Sequence, residues 1–264
     1  MNDAFAPVSS LRIFWAILMR DVTVARREIV SFLVRTALQP ILFTIVFGFL
    51  LPKMQIIPHG YTTMMLPGIV ALSLTLSAVQ SVALPMVAEF GYTKEIEDRL
   101  LAPIPTPLVA IEKVVAGTIQ GLIAAAFVLP MSRLIIGPVP GMTFRNAPML
   151  LLITILGGAA FSALGLFFGT AIAPQQIGLM FSVFIAPMIM FGCAYYPWRG
   201  LDAIPAMKYA VLINPLVYAS EGMRATLTPS VPHMHLGAIV AALVILTAIF
   251  TWLGLRAFMK RAIS

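Results

Sequence analysis

The chain has 264 residues and a formal net charge of +7, with 60% hydrophobic and only 10% charged residues and a mean hydropathy of +0.99. A soluble domain carries roughly 25% charged residues, so this composition excludes a soluble globular protein and indicates one membrane domain of several helices. The basic balance does not mark a nucleic-acid partner, because the bases sit at the ends of apolar runs, where membrane orientation explains them; the lone Cys193 rules out an internal disulfide and disfavours a thiolate metal site.

The N-terminus has no short apolar run ending in small residues, so no cleavable signal is expected. Over residues 9–29, Leu11, Phe14, Trp15, Leu18 and Val22 recur at helical spacing, with Arg12, Arg20, Asp21, Arg26 and Arg27 mostly elsewhere. This predicts an amphipathic helix in the cytoplasmic interface, with Trp15 at headgroup level. A helix packed on a soluble partner would read the same way. The first span is expected over 32–51, long enough at 1.5 Å per residue to cross a hydrocarbon core of roughly 30 Å. Arg35 lies near its inner end, where its stem can snorkel to the headgroups. Pro52 and Pro58 end the run, and a second span without any charge follows over 63–88.

The stretch Glu89 to Lys113 is the long polar segment of the first half. Its acids Glu89, Glu95, Glu97, Asp98 and Glu112 outnumber its bases Lys94, Arg99 and Lys113. Thr93 can cap a short helix, and Glu95, Glu97 and Asp98 suit its first half, where the dipole favours negative charge. Tyr92, Ile96 and Leu100 give an apolar stripe at i, i+4, i+8. Pro103, Pro105 and Pro107 forbid continuation of the helix, and Thr106–Pro107 reads as the cap and first position of the next one. The plain reading of 89–107 is a solvated connector. The density of features favours a short amphipathic docking helix on a stiff hinge.

A third span is expected over 108–132, with Gly117 and Gly121 as a small-xxx-small pair for close helix approach. The fourth, 147–173, carries Gly157, Gly158, Ser162, Gly165 and Gly169, again a helix-packing face. After the short turn Pro174-Gln175-Gln176, a fifth span covers 177–194 and ends in the interfacial aromatics Tyr195, Tyr196 and Trp198. Within the outer segment 195–235, residues 195–224 are too apolar for a free loop and too short for two full spans. They predict short helices tucked into the outer leaflet, where irregular backbone survives only if packed against other helices. Asn214–Pro215 breaks that run as cap and first helical position. Glu221 and Arg224, three apart, can pair on one face, or both can point to water. The sixth span is expected over 236–255, followed by Arg256, Lys260 and Arg261.

Placing the N-terminus, the acidic loop, the Gln-Gln turn and the C-terminus inside puts the larger share of bases in the cytoplasm, which supports six spans with both termini cytoplasmic. Chemistry is mostly absent. No G-x-x-x-x-G-K-[ST] loop cradles a phosphate. No carboxylate lies in mid-span, which argues against ion-coupled transport. His233 and His235 lack further nearby ligands for a metal. No paired acids or activated nucleophile mark an enzyme.

The N-terminal helix, the MLPGI run at Met65–Ile69, the EIEDRLLAPIPTPLVAIEKVVAG run at Glu95–Gly117 and INPLVYASEGMR at Ile213–Arg224 together resemble the permease subunits of type-2 ATP-binding-cassette exporters. The resemblance spans nearly the whole chain. It implies an all-α polytopic protein of the inner (plasma) membrane that pairs with a second copy of itself and with two separate ATPase subunits. Those subunits would bind the ATP and Mg, and this chain would hold no cofactor. It implies that Glu95, Ile96, Glu97, Asp98, Arg99 and Leu100 form the helix that docks on the ATPase. It also implies re-entrant outer helices, for which we expect an exit gate built around Asn214, Pro215, Glu221 and Arg224. The substrate does not carry over, since the family ranges over lipid-linked glycans, drugs and other amphipaths. The alternative is a membrane-embedded enzyme or assembly factor on the same scaffold.

Overall fold

The computed structural model describes residues 10–27, 29–58, 60–93, 96 and 105–263, and among these every regular element is helical. Helix α1 is Ser10–Arg27. Helix α2 covers 29–53: α-helical over Ile29–Phe43 with Pro40 inside, π-helical over Thr44–Leu50, and α-helical again over Leu51–Lys53. Helix α3 is Tyr61–Ala88, α4 is Thr106–Ile136 and α5 is Ala147–Ala171. Helix α6, Pro174–Met190, is interrupted by a π turn at Phe181–Ile185. The short α7 (Pro205–Ala210) and α8 (Pro215–Leu227) precede the long α9 (Leu236–Ile263).

Four of these are long and apolar enough to cross a membrane: Tyr61–Tyr92, Thr106–Ile136, Ala147–Ala171 and Leu236–Ala262. The expected first and fifth spans have shorter apolar helices, Leu38–Lys53 and Pro174–Met190. At 1.5 Å per residue Pro174–Met190 reaches only ~25 Å, less than the roughly 30 Å of a hydrocarbon core, whereas α2 taken whole over 29–53 is longer than that core. Both contain a π turn, the kind of local widening that gathers at functional sites.

Helix α3 is the axis of the bundle. It carries no charge and is apolar on every side, as a helix buried all round must be. Residues Met65 through Val79 are all buried. Helices α4, α5 and α8 pack around it. Backbones come close because the facing residues are small. A Cβ built on Gly165 of α5 would lie 2.6 Å from the Val79 carbonyl oxygen, so only glycine fits there. Gly68 of α3 faces the Ala194 carbonyl in the same way, with no space for any side chain. The apolar α9 lies against α5 with few fully buried residues, most of its length being partly or fully open to where lipid would be.

Helix α1 differs from the single apolar face expected of it. Leu18 is buried, and Phe14, Ile13 and Ile17 pack against the inner-end cluster of Val82, Met86, Val109 and Phe258. Leu11 and Trp15 are 67% and 51% exposed, and with Met19 they form a second, outward apolar stripe at i, i+4, i+8. The helix therefore touches protein on one side and offers apolar surface on another, as an interfacial helix does.

Candidate functional site

Two buried polar knots stand out, one at each end of the bundle. The outer one is built by residues 195–235, whose second half is not a surface loop. Asn214 caps α8: its side-chain oxygen accepts from the Leu216 N–H at 3.0 Å while its Nδ2 donates to the Met188 carbonyl of α6 at 2.8 Å. Pro215 occupies the first helical position, where its missing N–H costs nothing. From Leu216 to Leu227 every residue of α8 except Tyr218 is buried, packed against α3, α5 and α9.

Glu221 and Arg224 form an ion pair on this helix, and neither side chain is exposed at all. The alternative that both point to water is therefore set aside. The guanidinium also donates from Nε to the Met64 carbonyl at 3.2 Å and from Nη2 to the Cys193 carbonyl at 2.9 Å. The carboxylate accepts from the Trp198 N–H at 2.9 Å and the Met234 N–H at 2.8 Å. One pair thus ties together the start of α3, the end of α6, the turn after it and the strap before α9. A buried charge pair is tolerable when its remaining donors and acceptors are met, as they are here. Nearby, Tyr61 donates its hydroxyl to the Tyr195 carbonyl at 2.8 Å, and the rings of Phe43 and Phe47 pack on Tyr195. Burial pushes the Tyr195 and Tyr196 phenols above their ordinary values, so both stay neutral.

Beside this knot lies an apolar cavity of about 520 Å³ between α5, α6, α7 and α9. Phe168, Phe184, Pro187, Met207 and Phe250 line it, and Asn214 brings a polar group to its wall. Such a mostly apolar space with one placed polar group suits the apolar part of an amphipath.

At the inner end, Ile96 is the one residue of the expected docking set Glu95, Ile96, Glu97, Asp98, Arg99 and Leu100 within the described residues; the others lie outside them. Ile96 is 3% exposed and packs with Val82, Met86, Val109, Ala110 and Phe258. Tyr92, expected on the same stripe, is 69% exposed instead. It sits in a π turn over Glu89–Thr93, which takes it out of the α-helical phase that the spacing assumed.

The inner knot was not foreseen. Lys113, on α4, donates to Glu89 Oε1 at 2.8 Å and to Asp21 Oδ2 of α1 at 2.9 Å. Its side chain is only 6% exposed, against 9% for Glu89 and 16% for Asp21. Glu112 beside it is also fully buried. In the sequence these residues look like the polar edges of a solvated loop. The available signal was that Glu112 and Lys113 sit inside the apolar helical run of VAIEKVVAG, too deep for a loop. His233 and His235 make local backbone contacts, and among the described residues no three His, Cys, Asp or Glu converge.

A family model described as ABC-2 type transporter matches residues 12–228. The inner membrane transport permease YadH of Escherichia coli (strain K12) is 25% identical over 233 residues, covering 81% of this chain and 84% of that protein. The YadH permease of Shigella flexneri is similar to the same extent.

Proposed function

The chain belongs to the ABC-2 type transporter family, and from that membership we propose that it is the permease subunit of an ATP-driven exporter of an amphipathic substrate. It is a membrane transport subunit of several apolar helices. The protein resides in the inner membrane with both termini cytoplasmic. Helices α2 and α6 complete six crossings. ATP and Mg are bound by a separate ATPase subunit that docks on residues 95–100, since this sequence has no phosphate-cradling loop of its own. The outer segment around Asn214, Pro215, Glu221 and Arg224 closes the exit.

The observation that carries the reading is the close packing around α3. At Gly165 the approach of α5 leaves no space for even a methyl group, so no substrate passes between α3 and α5. The path then runs along the subunit's surface and needs a second copy to enclose it, most simply with twofold symmetry. The exposed aliphatic and aromatic residues of α2 and α6, among them Leu42, Phe49, Val183 and Phe184, supply a suitable seam. The apolar cavity beside Asn214 supports an amphipath as cargo.

The test is co-purification of the tagged protein with candidate ATPase subunits, followed by reconstitution in vesicles. ATP-dependent movement of a fluorescent amphipath toward the outer face of the membrane is expected. A protein that recovers no ATPase, or moves the probe equally well without ATP, refutes the proposal.

A further inference from the structure

Lys113 stands where three segments of the inner end meet. Glu89 closes α3 and opens the π turn that leads into the loop; Lys113 follows that loop on α4. Their ion pair, across 24 residues of sequence, pins the two flanks of the loop to each other. The same ammonium holds Asp21, so α1 is fastened to both flanks at one point. The three groups are largely out of water, so salt screens them little and the coupling between them is stiff.

The surroundings leave the π turn little freedom to give way. Phe90 meets the Phe258 ring of α9 edge-on, and the Arg261 guanidinium lies over the Phe90 ring, 4.9 Å from its centroid. Arg261 in turn donates to the Thr170 and Ile172 carbonyls at the end of α5. A Cβ on Gly91 would collide with the Pro174 ring. A displacement of the loop therefore cannot be absorbed at the turn. Helix α1, by contrast, has its outer stripe of Leu11, Trp15 and Met19 exposed, so it can shift against lipid without breaking packed contacts on that side.

We infer that the Asp21–Lys113–Glu89 bridge transmits movement of the loop after Glu89 to helix α1, making Lys113 and Asp21 positioning residues of the transport cycle. This deepens the exporter reading and rests on it. The bridge does not bind the ATPase. It converts a pull on the docking loop into a change in how α1 sits in the membrane surface.

The experiment uses the complex of the full chain with its ATPase subunit in lipid nanodiscs. A Cys193→Gly background carries a polarity-sensitive fluorophore at Met19→Cys. Emission is read before and after trapping with ATP and vanadate. In the otherwise unchanged protein, trapping shifts the emission. Asp21→Asn leaves Lys113 its ion pair with Glu89, so the fold is kept while the charge link to α1 is cut. At least half of the shift is then lost, with the ATPase still bound and hydrolysing. Asp21→Glu keeps a carboxylate on α1 for Lys113, leaves the Lys113–Glu89 pair untouched, and retains the shift. A merely structural role would move stability in these variants without moving the trapped-state emission.

An undiminished shift in Asp21→Asn overturns the inference, as does loss of the ATPase from that variant. An unchanged parent complex that hydrolyses ATP with no shift overturns it too, while leaving the exporter reading intact. A parent that recovers no ATPase sinks the exporter reading, and the inference with it.

Discussion

Replacing Glu221 with alanine isolates the outer knot. The substitution removes the carboxylate that faces Arg224, which has no exposed surface of its own, and strips the Trp198 and Met234 N–H groups of their acceptor. Breaking a buried pair by removing one partner costs about 3–5 kcal/mol, and each orphaned donor adds about 1–3 kcal/mol. These losses overlap, because the site relaxes once, so ~5 kcal/mol is the working figure for the sum. At roughly 2–4 °C per kcal/mol for a chain of this size, the melting temperature should fall by about 10–20 °C. The assay is thermal unfolding of the detergent-solubilised protein, followed by size-exclusion chromatography of a fluorescent fusion. Two companions make the reasoning specific. Glu221→Gln keeps an acceptor for one of the two N–H groups and should lose less. Pairing Glu221→Ala with Arg224→Met removes the stranded charge and should recover part of the loss. The recovery should be incomplete, because the Met64 and Cys193 carbonyls lose their donor as well. A melting temperature for Glu221→Ala within about 2 °C of the parent, less than one kcal/mol, would show that the pair is not holding these segments together.

The remaining expectations follow from other parts of the chain. Asn214→Ala loses the cap to Leu216 and the bond to Met188, a loss of about 1–2 kcal/mol that the same melting assay should register; an unshifted curve would refute the capping role. Gly165→Leu drives a side chain into the Val79 carbonyl and should abolish the monodisperse chromatographic peak, since overpacking a well-packed core costs about 1–3 kcal/mol or more. Reversing Glu97 and Asp98 to lysine should lower ATPase recovery in a pull-down by about tenfold, equivalent to ~1.4 kcal/mol, with membrane insertion intact; recovery equal to the parent rules out this stretch as the dock. Cysteines at Leu42 and Val183, both exposed, should cross-link between protomers in a Cys193→Gly background. Glycine suits that position because Cys193 has φ +52°. A purely monomeric band after oxidation argues against the proposed seam.

The membrane class, the all-helical fold and the family were legible in the sequence because they rest on local or composition-level physics. Charge is scarce, apolar runs are long, and the proline, glycine and cap signals fall between them. Asn214–Pro215 is a clear instance: cap and first helical position are adjacent residue choices, and the helix begins where they say. Pairing of Glu221 with Arg224 was readable from their spacing alone. The backbone groups that complete the knot, at Met64, Cys193, Trp198 and Met234, come from distant segments and leave no mark in any local pattern.

The inner knot was hidden for a related reason. Asp21 and Lys113 lie 92 residues apart, and a charged residue beside a loop looks the same in sequence whether it faces water or a buried partner. Helix exposure was equally unreadable. Every long helix here is apolar, since lipid and a protein interior accept the same side chains. Hydropathy therefore places a segment in the membrane but does not rank segments by burial: few residues of α9 are fully buried while the chargeless α3 is enclosed. The sequence by itself determined that the chain enters the membrane as helices, and where those helices start and break. Tertiary packing alone decided which helix became the axis and which charges were drawn together away from water, because both depend on contacts between segments distant along the chain.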